Sequence, residues 1–122
     1  MRGPWKRSGW GITAWGVGAL GISIGLLFST AWGKDLQNGK KVYVDQCLKC
    51  HGERGKGDGP DADDLEKKPM DYTDKAKMSK FTDAQLVEVV RDGKKPMPAY
   101  KKKLTPKEME DVIAYIRTFA GK

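Results

Sequence analysis

The sequence is poor in the two residue types from which many protein metal centres are built. Its 122 residues include only two cysteines and one histidine. A structural zinc site takes four ligands, so these three residues cannot complete one by themselves. A site that needs two histidines cannot be formed within this chain. Both cysteines belong to one motif, which leaves no other pair for a structural disulfide.

All three of these residues occur together in Cys47-Leu48-Lys49-Cys50-His51. A C-x-x-C-H run is the attachment signature of c-type haem. On one helical turn, positions i, i+3 and i+4 share a face, so both cysteines can form thioethers with one porphyrin edge while His51 reaches the iron. A redox-active dithiol would also contain C-x-x-C, but the adjacent histidine and the absence of a βαβ pattern argue against it. The motif therefore predicts one covalently attached haem.

A long uncharged segment precedes this motif. Residues 8–33 carry no charge, and their apolar part, residues 12–32, would form a helix roughly 31 Å long, which matches a bilayer core. We therefore expect a first unit, residues 1–33, in which residues 9–33 form a retained membrane anchor. The alternative is a signal peptide that is cleaved near Gly33, leaving a soluble exported protein.

The basic residues before the segment predict its orientation. The positive-inside rule places the N-terminus in the cytoplasm and residues 34–122 on the extracytoplasmic, periplasmic face. Gly21, Gly25 and Ser29 recur every four residues, a spacing that lets other transmembrane helices pack closely. The other interpretation is that the pattern has no packing role, because glycine is common in membrane helices anyway.

The second unit, residues 34–122, has helical patterns and no strand pattern. Apolar spacing predicts a helix over residues 35–46. Capping patterns at Thr82 and Thr105 predict two more helices. The last of these has an apolar stripe that consists of Met109, Val112, Ile113, Ile116 and Phe119.

The second axial ligand of a haem iron cannot be histidine here. Methionine sulfur is the usual alternative in electron-transfer c-type haems. Of the five methionines, Met97 is the predicted ligand because two flanking prolines stiffen its loop. Met78 and Met70 flank a predicted short helix and remain alternatives, whereas Met109 falls on the core stripe.

These motifs resemble the class I cytochromes c, in particular the small single-haem bacterial proteins. The resemblance covers residues 34–122. Apart from the haem signature it rests on Gly39-Lys-Lys-Val-Tyr43, Gly57-Asp-Gly-Pro60, Lys68-Pro-Met-Asp-Tyr-Thr73, Gly93-Lys-Lys-Pro-Met-Pro-Ala-Tyr100, Leu104-Thr-Pro and Tyr115-Ile-Arg117.

The resemblance implies an all-α class I cytochrome c fold, in which the first and last helices cross near Gly39 around one haem c. It also implies that the Pro60 carbonyl accepts the other ring N–H of the axial histidine and so fixes the orientation of that ring. The expected cofactor-binding residues are Cys47, Cys50, His51, Met97 and Pro60, of which His51 and Met97 ligate the iron.

A haem iron with both a histidine and a methionine ligand has no open coordination position at which a substrate could bind. The predicted function is therefore a one-electron carrier between membrane or periplasmic redox partners, with no catalysis of its own and no small-molecule substrate. An alternative is a haem c subunit of a membrane-bound respiratory or photosynthetic enzyme complex, because the small subunit of nitric-oxide reductase resembles this layout. A third possibility is a five-coordinate sensor or ligand-binding cytochrome, which requires that Met97 does not bind.

The net charge of +7 could indicate binding to nucleic acid, anionic lipid or an acidic protein. Five lysines lie on either side of Met97 in sequence, at positions 94, 95, 101, 102 and 103. We expect them to dock acidic redox partners rather than nucleic acid. Such transient complexes typically bury a small interface, and the rate at which they form depends on the salt concentration.

Overall fold

The computed structural model describes residues 33–121, which form α-helices joined by loops. The helices are α1 (Leu36–Gln46), α2 (Leu48–His51), α3 (Lys75–Met78), α4 (Asp83–Asp92) and α5 (Pro106–Arg117), and a 3₁₀ turn, Thr118–Gly121, follows α5. Residues 33–121 contain no strand, only an isolated bridge between Lys94 and Met97. The all-helical class predicted for this part of the chain is confirmed.

Helices α1 and α5 pack directly against each other. α1 begins after Asp35, whose carboxylate accepts hydrogen bonds from the backbone N–H groups of Gln37 and Asn38. One face of α1 approaches α5 so closely that a Cβ atom added to Gly39 would lie 2.1 Å from the carbonyl oxygen of Asp111. Only a residue without a side chain fits this contact, in agreement with what the family resemblance implied for Gly39.

The predicted start of α5 is confirmed in detail. The side chain of Thr105 accepts a hydrogen bond from the N–H of Glu108, whose carboxylate accepts one from the N–H of Thr105. Burying a large apolar side chain contributes roughly 1.5–3 kcal/mol, so the stripe of α5 is a main source of stability. All five of its predicted members are buried: Met109, Val112, Ile113 and Ile116 in α5, and Phe119 in the 3₁₀ turn that follows.

A buried carboxylate also ties α1 to α5. Asp111 is 1% exposed and accepts hydrogen bonds from the Asp35 N–H at 2.8 Å, from Asn38 Nδ2 at 3.0 Å and from the Lys107 ammonium. Burial by itself raises the pKa of this carboxyl, but the three donors outweigh burial and lower the pKa below its ordinary value. Asp111 therefore stays charged at neutral pH and stabilises the contact between the two helices.

Arg117, the last residue of α5, fixes the segment that leads into α4. Its Nη1 donates a hydrogen bond to the Met78 carbonyl at 2.7 Å, its Nε donates to the Asp83 carboxylate at 2.9 Å, and its Nη2 donates to the Phe81 carbonyl. The second predicted capping pattern is also present, because Thr82 caps α4 together with Gln85. These contacts hold α4 against α5.

The predicted membrane anchor, residues 9–33, falls almost entirely outside the described residues, as does the Gly21, Gly25 and Ser29 pattern. Among residues 33–121, no helix has the length and apolar character needed to cross a bilayer.

Candidate functional site

A cavity of about 640 Å³ lies between α2, α4 and α5. Residues 65–72 and 94–100 contribute most of the remaining wall. Cofactor and ligand pockets typically measure about 300–1,000 Å³. The apolar side chains that line this cavity include those of Leu65, Phe81, Leu86, Val89, Val90, Ile113 and Ile116. The cavity therefore has the size and the apolar lining that a porphyrin requires.

The C-x-x-C-H motif lies on the cavity wall. α1 ends at Gln46, and the next turn is closed by hydrogen bonds from the N–H groups of Cys50 and His51 to the Cys47 carbonyl, at 3.2 and 2.9 Å. Both cysteines and His51 line the cavity, and both thiols are free. Burial and the neighbouring Cys50 raise the pKa of Cys47 to about 12, so its thiol is protonated at neutral pH.

His51 is a buried imidazole with one nitrogen left without a partner. Its Nε2 lies 3.1 Å from the Tyr72 hydroxyl, and the two rings stack with their centroids 4.6 Å apart. Nδ1 has no hydrogen-bond partner among the described residues. Burial lowers the pKa of His51. The backbone of Met70 raises this pKa, but by less than burial lowers it. The ring is therefore neutral at physiological pH, the form in which imidazole binds metals.

Among the described residues, His51 Nδ1 has no hydrogen-bond partner, so the structure contains no hydrogen bond from this nitrogen to the Pro60 carbonyl. The bond between His51 and Pro60 therefore remains a prediction. Pro60 itself is exposed.

The four methionines among residues 33–121 divide into two pairs. Met97 and Met70 are half-buried and line the cavity. Met78 and Met109 are 1% and 4% exposed, respectively, and belong to the hydrophobic core. Met78 does not line the cavity, so among the described residues the thioether candidates at this site are Met97 and Met70.

Lysines surround the cavity in larger number than the sequence predicted. We call the six among residues 33–121 that line it the cavity lysines: Lys56, Lys67, Lys68, Lys77, Lys94 and Lys95. Within the part of the chain that the structure describes, Asp71 is the only acidic residue that lines it. Of the five lysines predicted to dock partners, only Lys94 and Lys95 belong to this group.

The other three predicted lysines, at positions 101–103, do not line the cavity. Lys101 Nζ lies 3.9 Å from Asp92, and Lys103 Nζ lies 5.7 Å from the centre of the Tyr100 ring. Position along the chain does not separate these lysines from Lys94 and Lys95, because all five lie between residues 94 and 103.

Two buried tyrosines at the cavity belong to motifs of the family resemblance, but the sequence analysis assigned no function to either of them. Tyr72 contacts His51, and the Tyr100 hydroxyl donates a hydrogen bond to the Gln46 carbonyl at 3.0 Å. Buried tyrosines usually find a polar partner for the hydroxyl. That rule could have drawn attention to both residues, but it could not have identified the partners.

The residues present fit a covalently attached haem. Two thiols, a neutral imidazole with a partnerless ring nitrogen and two thioethers converge on one apolar cavity. Thiol and imidazole groups in this arrangement suit thioether attachment and axial ligation of iron.

Comparison with known proteins points in the same direction. Residues 34–116 match the family model described as "Cytochrome C oxidase, cbb3-type, subunit III". Cytochrome c6 from Nostoc sp. is 33% identical over 88 residues, which are 72% of this chain and 74% of the relative. Cytochrome c6 from Thermosynechococcus vestitus is 32% identical, over 83% of this chain and 88% of the relative.

A third relative is much longer than the match. The cbb3-type cytochrome c oxidase subunit FixP from Bradyrhizobium diazoefficiens is 30% identical over 75% of this chain, but the match spans only 30% of FixP.

Solved structures show the same similarity. The KustC0563 c-type cytochrome has a TM-score of 0.60 and 28% identity, over 66% of this chain and 95% of that one. A chain of the Kuenenia stuttgartiensis reducing HAO-like protein complex Kustc0457/Kustc0458 has a TM-score of 0.61 and 31% identity, over 69% of this chain and 43% of that one.

Proposed function

Since this chain belongs to the class I cytochrome c family and carries haem c, we propose that it is a one-electron carrier with His51 and Met97 as axial ligands. Members of this family transfer electrons and are not enzymes in themselves. The observation that supports the assignment is the convergence of Cys47, Cys50, His51 and Met97 on one apolar cavity. The bound haem supplies an iron that alternates between Fe(II) and Fe(III).

The protein residues determine where the haem is held and how readily it accepts an electron. Cys47 and Cys50 would anchor it covalently, and neutral His51 would offer a ring nitrogen to the iron. Leu86, Val90 and Ile113 belong to the apolar walls of the cavity, which exclude water. A methionine ligand and an apolar surrounding both favour the reduced state. Met97 would also keep exogenous ligands from the iron.

A combined redox and ligand-binding experiment on the native full chain tests this proposal. We expect reversible one-electron oxidation and reduction, and no change in the absorption spectrum of the reduced protein when carbon monoxide is added. A rapid spectral shift with carbon monoxide would contradict the carrier function and would favour the five-coordinate, ligand-binding alternative.

We further propose that acidic redox proteins dock over the cavity lysines. These side chains come from separate parts of the chain, yet they surround the region through which an electron would enter or leave. Complementary charge chiefly raises the association rate. The Debye length is about 8 Å at physiological ionic strength, so salt is expected to weaken this attraction.

Two triple variants with equal loss of charge test the docking surface. In one, Lys67, Lys94 and Lys95 are changed to Gln, and in the control Lys101, Lys102 and Lys103 are changed to Gln. At low salt we expect the first variant to slow oxidation by the anion ferricyanide on the order of 3- to 10-fold, because it removes charge at the cavity. The control should slow it less.

The same measurements are then repeated across a salt series. For the first variant, the dependence of the rate on salt should flatten, and a cationic cobalt oxidant should react faster than with the parent. Equal rates for the two variants would show that the cavity lysines have no special role.

A second candidate function is a haem-bearing subunit of a membrane-bound redox complex. The family model that matches residues 34–116 is described as an oxidase subunit, and FixP is a subunit of a cbb3-type oxidase. A permanently associated subunit needs no electrostatic steering, so a flat salt series with a physiological partner would favour this alternative over a diffusing carrier.

The relatives suggest an extracytoplasmic location for the haem domain. We propose that residues 9–33 anchor it to the membrane and allow packing against other transmembrane helices. Cleavage near Gly33 would instead release a soluble protein. N-terminal sequencing of the native protein distinguishes the two, because the anchored form begins at or near Met1.

A further inference from the structure

The methionine loop, residues 93–100, is fastened to α4 at both of its ends. Gly93 ends α4 with φ 76°, and a turn follows in which Lys94 and Met97 exchange two backbone hydrogen bonds of 3.0 and 2.8 Å. Downstream, the Tyr100 N–H donates to the Val90 carbonyl at 3.0 Å. These bonds fix the loop relative to α4, but they do not connect it to the helix turn that carries the cysteines.

That connection is made by the Tyr100 side chain. Its hydroxyl donates a 3.0 Å hydrogen bond to the carbonyl of Gln46, a residue 54 positions away and directly before Cys47. Among residues 33–121 it is the hydrogen bond that joins the methionine loop to the segment from α1 to α2. The Tyr100 ring is 9% exposed and itself lines the cavity.

We propose that Tyr100 is a positioning residue that holds Met97 at a fixed distance from the Cys47 turn. This inference rests on the proposed axial role of Met97. A haem attached to Cys47 would be held at a set position relative to Gln46, the preceding residue. The hydrogen bond from Tyr100 holds the methionine loop at a set position relative to that same residue. Without the Tyr100 hydroxyl, the methionine loop stays attached to α4 but loses its hydrogen bond to the Gln46 carbonyl, next to the cysteine turn.

The consequence is a loop that opens more often. A single hydrogen bond contributes enough that its loss should raise the opening equilibrium about 3- to 10-fold. An external ligand such as imidazole binds the oxidised iron only after the iron–sulfur coordination bond of Met97 has broken. Faster imidazole binding therefore reports on this opening, and it does so independently of electron transfer.

Tyr100→Phe removes only the hydroxyl, and Tyr43→Phe provides a matched control. The Tyr43 hydroxyl likewise donates to a backbone carbonyl, that of Gly52, at 2.7 Å, but Tyr43 lies on α1 and its ring packs against Tyr115 and Phe119. Both variants should unfold at lower denaturant concentration. Only Tyr100→Phe should bind imidazole about 3- to 10-fold faster, with a weaker near-infrared sulfur-to-iron band.

The outcomes separate this proposal from the one on which it rests. A parent protein without the sulfur-to-iron band would overturn methionine ligation, and the role of Tyr100 with it. A parent with the band, together with equal imidazole rates in the two variants, would overturn the role of Tyr100 alone and leave the carrier function intact.

Discussion

The Met97→Ala variant is expected to lose the near-infrared sulfur-to-iron band of the oxidised protein completely. Removing the thioether leaves the iron without its sixth ligand, so the reduced variant should bind carbon monoxide and the reduction potential should fall. Absorption spectroscopy of the purified haem protein measures the first two effects, and a redox titration measures the third.

Met70→Ala is the appropriate control, because Met70 is the other half-buried methionine at the cavity. It should keep the band and stay closed to carbon monoxide. If the band survives in Met97→Ala and disappears in Met70→Ala, the ligand assignment is wrong. Met78→Ala should reduce stability only, since that side chain is buried in the core.

Gly39→Ala is expected to destabilise the domain severely. The added Cβ would lie 2.1 Å from the Asp111 carbonyl oxygen and 2.6 Å from its carbon. Both are backbone atoms of α5, so the helices must separate to relieve the clash. Overpacking costs about 1–3 kcal/mol and occasionally more, a large part of the roughly 5–15 kcal/mol by which a domain is stable.

Denaturant unfolding of the haem-loaded protein measures this loss. Gly121→Ala is the matched control, because among the described residues a Cβ added there meets no distant part of the chain within 4 Å, and its midpoint should stay close to that of the parent. If the midpoint of Gly39→Ala also stays within the error of the parent, the close approach of α1 and α5 at this residue is incorrect.

The sequence was most informative where structure depends on neighbouring residues. The caps at Thr82 and Thr105 and the buried stripe of α5 follow from local hydrogen bonding and helical spacing, and all are present. The Cys47 turn and Met97 could likewise be singled out from short motifs. Their meeting at one cavity could be anticipated only through the family resemblance.

Features that depend on residues far apart in the chain were missed or were predicted only in part. Lys56, Lys67, Lys68 and Lys77 reach the cavity because the intervening loops fold back, and sequence neighbourhood cannot reveal this. The partner of Tyr100 lies 54 positions away. The hydrogen bond expected between Pro60 and His51 depends on how the glycine-rich loop approaches the ring, and it still awaits a test.

The central claim, that Cys47 and Cys50 attach one haem covalently in this cavity, is tested most directly by the intact mass of the native protein under denaturing conditions. We predict that the polypeptide retains the additional mass of a single haem after acid–acetone treatment, and that changing both cysteines to Ser abolishes it. A parent polypeptide of unmodified mass, with free haem in the extract, would contradict the account.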